Sequence, residues 1–193
     1  MKNVNAPVFA DLWRPHPAPS LPRSHRLWLS RPGALTAGLR QLGTVELSVL
    51  RECVEPAPAE EACALGIHPR APIWVREILM RIDGVPCVAA RSCTPLQHSR
   101  GIWQAMRRLK NRPLADMLYH DPTVTRSGFA VARLDGRSGL YGVAVSTDSP
   151  KMEPGRPGEI PLWARRSVFW RAGAGLVVAE CFLAGFWTLI PKP

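Results

Sequence analysis

Between Ile73 and Pro95 the chain reads IWVREILMRIDGVPCVAARSCTP, two apolar runs on either side of Asp83-Gly84. Asp-Gly supplies the two left-handed residues of a tight hairpin turn, so the pattern predicts two antiparallel strands joined there. Side chains alternate along a strand, which puts Trp74, Arg76, Ile78, Met80 and Ile82 on one face and Val75, Glu77, Leu79 and Arg81 on the other. Arg76 is thus set among large apolar groups. A guanidinium keeps its proton in a protein, so its burial is costly unless a carboxylate, backbone carbonyls or an anionic ligand meets it.

The last apolar run, LVVAECFL from Leu176 to Leu183, carries the opposite charge. Leu176, Val178, Glu180 and Phe182 fall on one face, which leaves a lone carboxylate in an oily strand. Two readings of Arg76 and Glu180 stay open: they pair with each other inside a sheet, or they line one cavity and hold opposite ends of a small polar ligand.

Elsewhere the pattern predicts a first strand over Thr44–Val54, with Val45, Leu47 and Val49 on one side. A short helix is expected from near Pro32 to Gly43, with Leu35 and Leu39 on its inner face. Pro56–Pro72 reads as a loop with at most a turn of helix at Ala59–Leu65. Gly101–Leu109 and Pro113–Tyr119 read as a helical hairpin inserted between strands. Thr123–Leu134 is a further strand with a kink at Gly128, and Leu162–Arg171 with Leu176–Leu183 makes a last hairpin. The expected class is α+β: a single antiparallel sheet of about six strands with short helices on it. Residues 1–24, with Pro7, Pro15, Pro17, Pro19 and Pro22, read as a Pro-rich flexible arm, and residues 25–190 as a single domain. Within that domain 135–160 is dense in Gly, Pro, Ser and Asp and reads as a flexible insertion.

The formal charge of the 193 residues is +10, of which residues 1–42 carry +5. The folded body is then only mildly basic, which argues against a nucleic-acid partner and suits a small anion. Arg100, Arg107, Arg108, Lys110 and Arg112 lie together without a nearby acid, either as a solvated face or as a field guiding anions to a cavity. Cys53, Cys63, Cys87, Cys93 and Cys181 show no CxxC spacing and read as buried thiols of a cytoplasmic protein. The histidines form no zinc-binding pattern, and there is no P-loop, no GxGxxG after a strand and no GxSxG, so neither metal nor cofactor is expected. The apolar run at 172–190 is broken by Glu180 and by Gly173, Gly175 and Gly185, which argues against a membrane span.

WVREILMRIDGVP, ARSCTP, RPLADMLY, VTRSGF, LWARRS and VVAECFL occur in the order and spacing of the chorismate lyases, a family the chain resembles from about Leu27 to Leu183. That resemblance implies a monomeric enzyme converting chorismate to 4-hydroxybenzoate and pyruvate, the first committed step toward ubiquinone. It further implies two helical flaps over an internal ligand cavity and a product that leaves slowly enough to inhibit. By the same resemblance Arg76 holds the ring carboxylate, the main chain at Leu35 and Leu114 closes over the ligand, and Glu180 faces the 4-hydroxyl, with Glu180 and Arg76 the catalytic pair. Lys110 and Ala115 stand where the family usually has glycines. The competing class is a non-catalytic small-anion effector-binding module of the GntR regulator type, which also needs a buried arginine; the first 42 residues are too short and proline-rich for the winged helix that would precede it.

Overall fold

Asp83 and Gly84 take φ of 49° and 82°, so the turn joining β2 (Pro72–Ile82) to β3 (Val85–Pro95) has the left-handed pair that Asp-Gly favours. The turn is tied to the chain ahead of β1 (Val45–Pro56): Thr44 N donates to Asp83 Oδ1 at 2.9 Å, and Asp83 N donates to Thr44 O at 3.0 Å. A second hairpin of the same kind, with Ala172 and Gly173 at φ 47° and 76°, joins β6 (Trp163–Arg171) to β7 (Ala174–Phe182). These contacts belong to a computed structural model that describes residues 12–148 and 161–190.

The two hairpins meet through β3 and β7, which gives an antiparallel sheet in the order β1-β2-β3-β7-β6-β4. The expected strand over Thr123–Leu134 is interrupted at Gly128 and becomes β4 (Thr125–Arg126) and β5 (Ala130–Arg133), both paired with β6, so the sheet has seven strands. Both faces of β2 are covered, which explains its almost unbroken apolar run.

On one face lie α1 (Arg23–Ser30), α2 (Leu35–Leu39) and α7 (Ala184–Leu189), whose Leu29, Leu35, Leu39 and Phe186 pack on Ile78, Met80 and Phe182. Beside them the segment α4 (Leu96–Arg100), a 3₁₀ turn (Gln104–Arg108) and α5 (Ala115–Leu118) packs Met106, Leu109, Leu114 and Leu118 on Trp74, Phe169 and Leu176. On the other face α3 (Ala59–Leu65) and α6 (Gly139–Asp148) cover Val75, Leu79, Cys93 and Ala179.

Three expectations need correction. The helix expected from Pro32 to Gly43 is shorter, α2 at Leu35–Leu39, and an unexpected helix, α1, precedes it; Pro32-Gly33, with Gly33 at φ 78°, separates the two. The arm of residues 1–24 is docked at residues 12–14: Leu12 and Trp13 are buried against the α6 face, and Arg14 pairs through both backbone groups with Val131; residues 1–11 lie outside the described residues. Within the expected flexible insertion at 135–160, Gly139–Asp148 is helical and buries Leu140 and Ala144, apolar anchors that the Gly- and Ser-rich composition conceals; 149–160 lie outside the described residues.

The far face also holds a buried ionic network. Arg91 forks onto Glu61 at 2.6 and 2.9 Å and donates to Glu77 and Glu55 at 2.6 Å each, while Arg51 donates to both oxygens of Glu77 and to the other oxygen of Glu55. Burial opposes the charge on Arg91, but the carboxylates of Glu61 and Glu55 outweigh it and hold the guanidinium above its ordinary value. Removing one member of such a network strands the rest. We expect Arg91→Met to lower the unfolding free energy by about 3–5 kcal/mol, read from urea denaturation.

Candidate active site

Cross-strand register builds the floor of the flap-side cavity in rows. Arg76 faces Ser92, Ser92 faces Val178, and Val178 faces Ser167; in the next row Ile78, Ala90, Glu180 and Arg165 follow one another across the same four strands. Directly paired residues share a face, so Arg76 and Glu180 point to the same side, a row and two strands apart. The small side chains Ala90 and Ser92 leave the floor low between them. Leu35, Arg76, Leu114 and Glu180 all line one cavity of about 600 Å³, counting its open mouth.

Arg76 and Glu180 do not pair with each other. Arg76 is 1% exposed, and its Nη2 donates to the carbonyls of Lys110 at 2.6 Å and Arg112 at 3.3 Å, in the loop before α5. Its Nε lies 3.3 Å from Glu52 Oε1 without a well-aligned hydrogen bond. Burial holds this guanidinium below its ordinary value, and Glu52 offsets part of that. Lys110 sits at φ 50°, a left-handed conformation that turns its carbonyl to Arg76 and that a glycine would adopt more easily.

Glu180 is held instead by Arg165, whose Nε donates to Glu180 Oε2 at 2.7 Å. The same buried guanidinium donates through Nη1 to the carbonyls of Arg31 at 2.7 Å and Trp28 at 3.4 Å, and lies 4.3 Å from the centroid of the Phe129 ring. Each flap is therefore tied to the sheet by one buried arginine through backbone carbonyls: Trp28 and Arg31, at the end of α1, by Arg165, and the loop before α5 by Arg76. Leu35 begins α2 and Leu114 immediately precedes α5. Their N–H groups belong to first turns, which have no partners within the helix and are free to meet a ligand oxygen.

Three contributors escaped the sequence reading. Glu52 reaches Arg76 because a bulge between Val49 and Arg51 reverses the alternation of β1: Val49 faces Ile78, Arg51 faces Glu77, and Glu52 faces Arg76. A strict period of two would have placed Glu52 on the far face. Arg165 and Ser167 had a usable signal, since alternation in LWARRSVF puts Trp163, Arg165, Ser167 and Phe169 on one face, but the partner strand that gives that face meaning was not known.

A cavity on one face of a single antiparallel sheet, roofed by short helical segments, defines a class of α+β ligand-holding domains. The effector domain of PhnF from Mycobacterium smegmatis shares this fold with a TM-score of 0.51 over 79% of this chain and 89% of that one, at 16% identity. The chorismate lyase family model matches residues 10–190, and the chain belongs to that family. A probable chorismate pyruvate-lyase of Bordetella pertussis is 53% identical over 181 residues, 94% of this chain and 93% of the relative. One from Pseudomonas entomophila, probable chorismate pyruvate-lyase 1, is 37% identical over 94% of each chain. No helix of the described residues is long and apolar enough to cross a membrane.

The Arg165–Glu180 contact has a measurable weight. Arg165→Met leaves Glu180 without its ion-pair partner and frees the Arg31 carbonyl, so the variant should lose about 3 kcal/mol of unfolding free energy. The double variant Arg165→Met/Glu180→Gln should recover much of that loss in a denaturation-based double-mutant cycle.

Proposed function

We propose that the protein is a chorismate lyase that eliminates pyruvate from chorismate to give 4-hydroxybenzoate, supplying the aromatic acid from which ubiquinone is built, and that it works without metal or cofactor. The observation that carries this reading is that Arg76 and Glu180 both line one cavity, a row and two strands apart, and each is held by partners other than the other. Family membership supports it.

Chorismate brings a ring carboxylate, a hydroxyl on C4 and an enolpyruvyl ether on C3. In the proposed complex Arg76 takes the ring carboxylate with charge-assisted hydrogen bonds, strong in a cavity that excludes most water. The main chain at Leu35 and Leu114 closes over the ligand, and Glu180 meets the C4 side. Loss of the C4 proton sends its electron pair into the ring as the C3–O bond breaks. The ring becomes aromatic, and the enolpyruvate leaves with the ether oxygen and takes up a proton to become pyruvate. Because aromatisation drives the step, the protein's task is orientation and exclusion of water, with Glu180 as proton acceptor or as the anchor of the hydroxyl.

A second reading, a non-catalytic small-anion effector-binding module, draws on the fold shared with the PhnF effector domain. Mixing the purified chain with chorismate and following 4-hydroxybenzoate absorbance separates the two: turnover supports the lyase, and binding without product supports the module. Treatment with a chelator should leave turnover unchanged.

Within the lyase reading, Glu180→Gln should cut kcat by about a hundredfold or more and change 4-hydroxybenzoate affinity little. Arg76→Ala should weaken 4-hydroxybenzoate binding by about 2 kcal/mol or more, measured by calorimetry. Release of product from beneath two latched flaps should be slow. Rapid dilution of the enzyme–product complex into chorismate should therefore show a lag, and immediate full velocity would contradict the flap arrangement.

A further inference from the structure

Four polar residues of the cavity, Thr36, Ser92, Tyr119 and Ser167, are left unused by the mechanism, and Ser167 is the one whose buried side-chain oxygen has no hydrogen-bond partner among the described residues. It is 3% exposed and lines the cavity, and its Oγ is enclosed without a hydrogen-bond partner among the described residues. Two hydroxyls buried as deeply are answered: Thr94 Oγ1 donates to Gly175 O at 2.7 Å, and Ser99 Oγ to Leu96 O at 2.7 Å. An enclosed, unanswered hydroxyl is costly unless something else meets it in the working state.

Its place in the register says what that is. Ser167 lies opposite Val178, two residues along β6 from Arg165 and diagonally next to Glu180, on the far side of β7 from Arg76 and Ser92. A ring held between Arg76 and Glu180 has C4 at the Glu180 end. Its C3, one carbon away, turns its substituent either back toward β2, where Arg76 is already taken by the ring carboxylate and Ile78 and Met80 are apolar, or toward β6, where Ser167 offers a hydroxyl in a cavity that Phe129 and Phe169 also line. The substituent on C3 is the enolpyruvyl ether, which carries oxygen and charge and so belongs on the β6 side.

We propose that Ser167 forms the leaving-group subsite, donating its hydroxyl hydrogen to the ether oxygen of the enolpyruvyl arm. Negative charge builds on that oxygen as the C3–O bond breaks, so a fixed donor there stabilises the transition state more than the ground state. The inference rests on the lyase reading, and it separates substrate from product: chorismate has the arm, and 4-hydroxybenzoate does not.

The test is Ser167→Ala, assayed in parallel with the wild-type chain. The expected result is a fall in kcat for chorismate of about tenfold or more, an inhibition constant for 4-hydroxybenzoate within about twofold of wild type, and a thermal midpoint no lower than that of wild type, since the variant removes only an unanswered hydroxyl. Wild-type kcat and KM in the variant would overturn the subsite, as would an equal loss of chorismate turnover and 4-hydroxybenzoate affinity, which would make Ser167 a support of the whole cavity. Absence of turnover by the wild-type chain would overturn the lyase reading itself, and the subsite with it.

Discussion

A guanidinium buried in an apolar sheet must be answered, and the rest of this structure is arranged around how Arg76 and Arg165 are answered. Neither can shed its proton to escape the cost of burial. On the flap side backbone shares in the answer: Lys110 and Arg112 carbonyls, with Glu52 near Nε, for Arg76, and Arg31 and Trp28 carbonyls beside the Glu180 carboxylate for Arg165. Carbonyl dipoles relieve desolvation without cancelling charge.

The far face of the same sheet shows the opposite solution. Arg91 is as deeply buried as Arg76, yet it is surrounded by Glu55, Glu61 and Glu77 and leaves no charge to offer a ligand. Equal burial thus hides different surroundings: three carboxylates around Arg91, two backbone carbonyls and one poorly aligned carboxylate around Arg76. The bulge of β1 serves both solutions at once. By shifting the alternation after Val49 it sends Arg51 to the far-side network and Glu52 to Arg76, where a half-exposed carboxylate lies near Nε but out of line for a good hydrogen bond.

The strands, the central hairpin and the apolar neighbours of Arg76 and of Glu180 along their own strands were legible because period two and Asp-Gly turns are local rules, written in consecutive residues. The partners of those charges were not. Glu52 depends on a bulge that nothing in VELSVLRECVEP announces, and Arg165 gains its meaning only when β6 pairs with β7 in a register that brings it opposite Glu180. Composition misled at 135–148, where Gly and Ser around Leu140 and Ala144 hid a helix that packs on the far face. It misled again at Leu12 and Trp13, two apolar residues in a proline-rich stretch that suffice to dock it, helped by the indole N–H of Trp13 on Glu60 at 2.9 Å. Long-range pairing decides such cases, and the sequence states it only indirectly.

In the proposed lyase, tying the flaps through Arg76 and Arg165 would link closure to ligand charge. Nη2 of Arg76 is committed to the loop before α5, so an incoming carboxylate has to share that guanidinium with the Lys110 carbonyl or draw on the Nη1 arm, which has no partner among the described residues. Either way, the anion and the flap bear on the same planar group, and moving one disturbs the other. The same holds at the opposite end, where Arg165 carries Glu180 on one nitrogen and the end of α1 on another. Flap position and site geometry are thus two readings of the same two side chains. A ligand that bonds both ends of the cavity favours the closed arrangement by as much as it binds it better than the open one, and by no more.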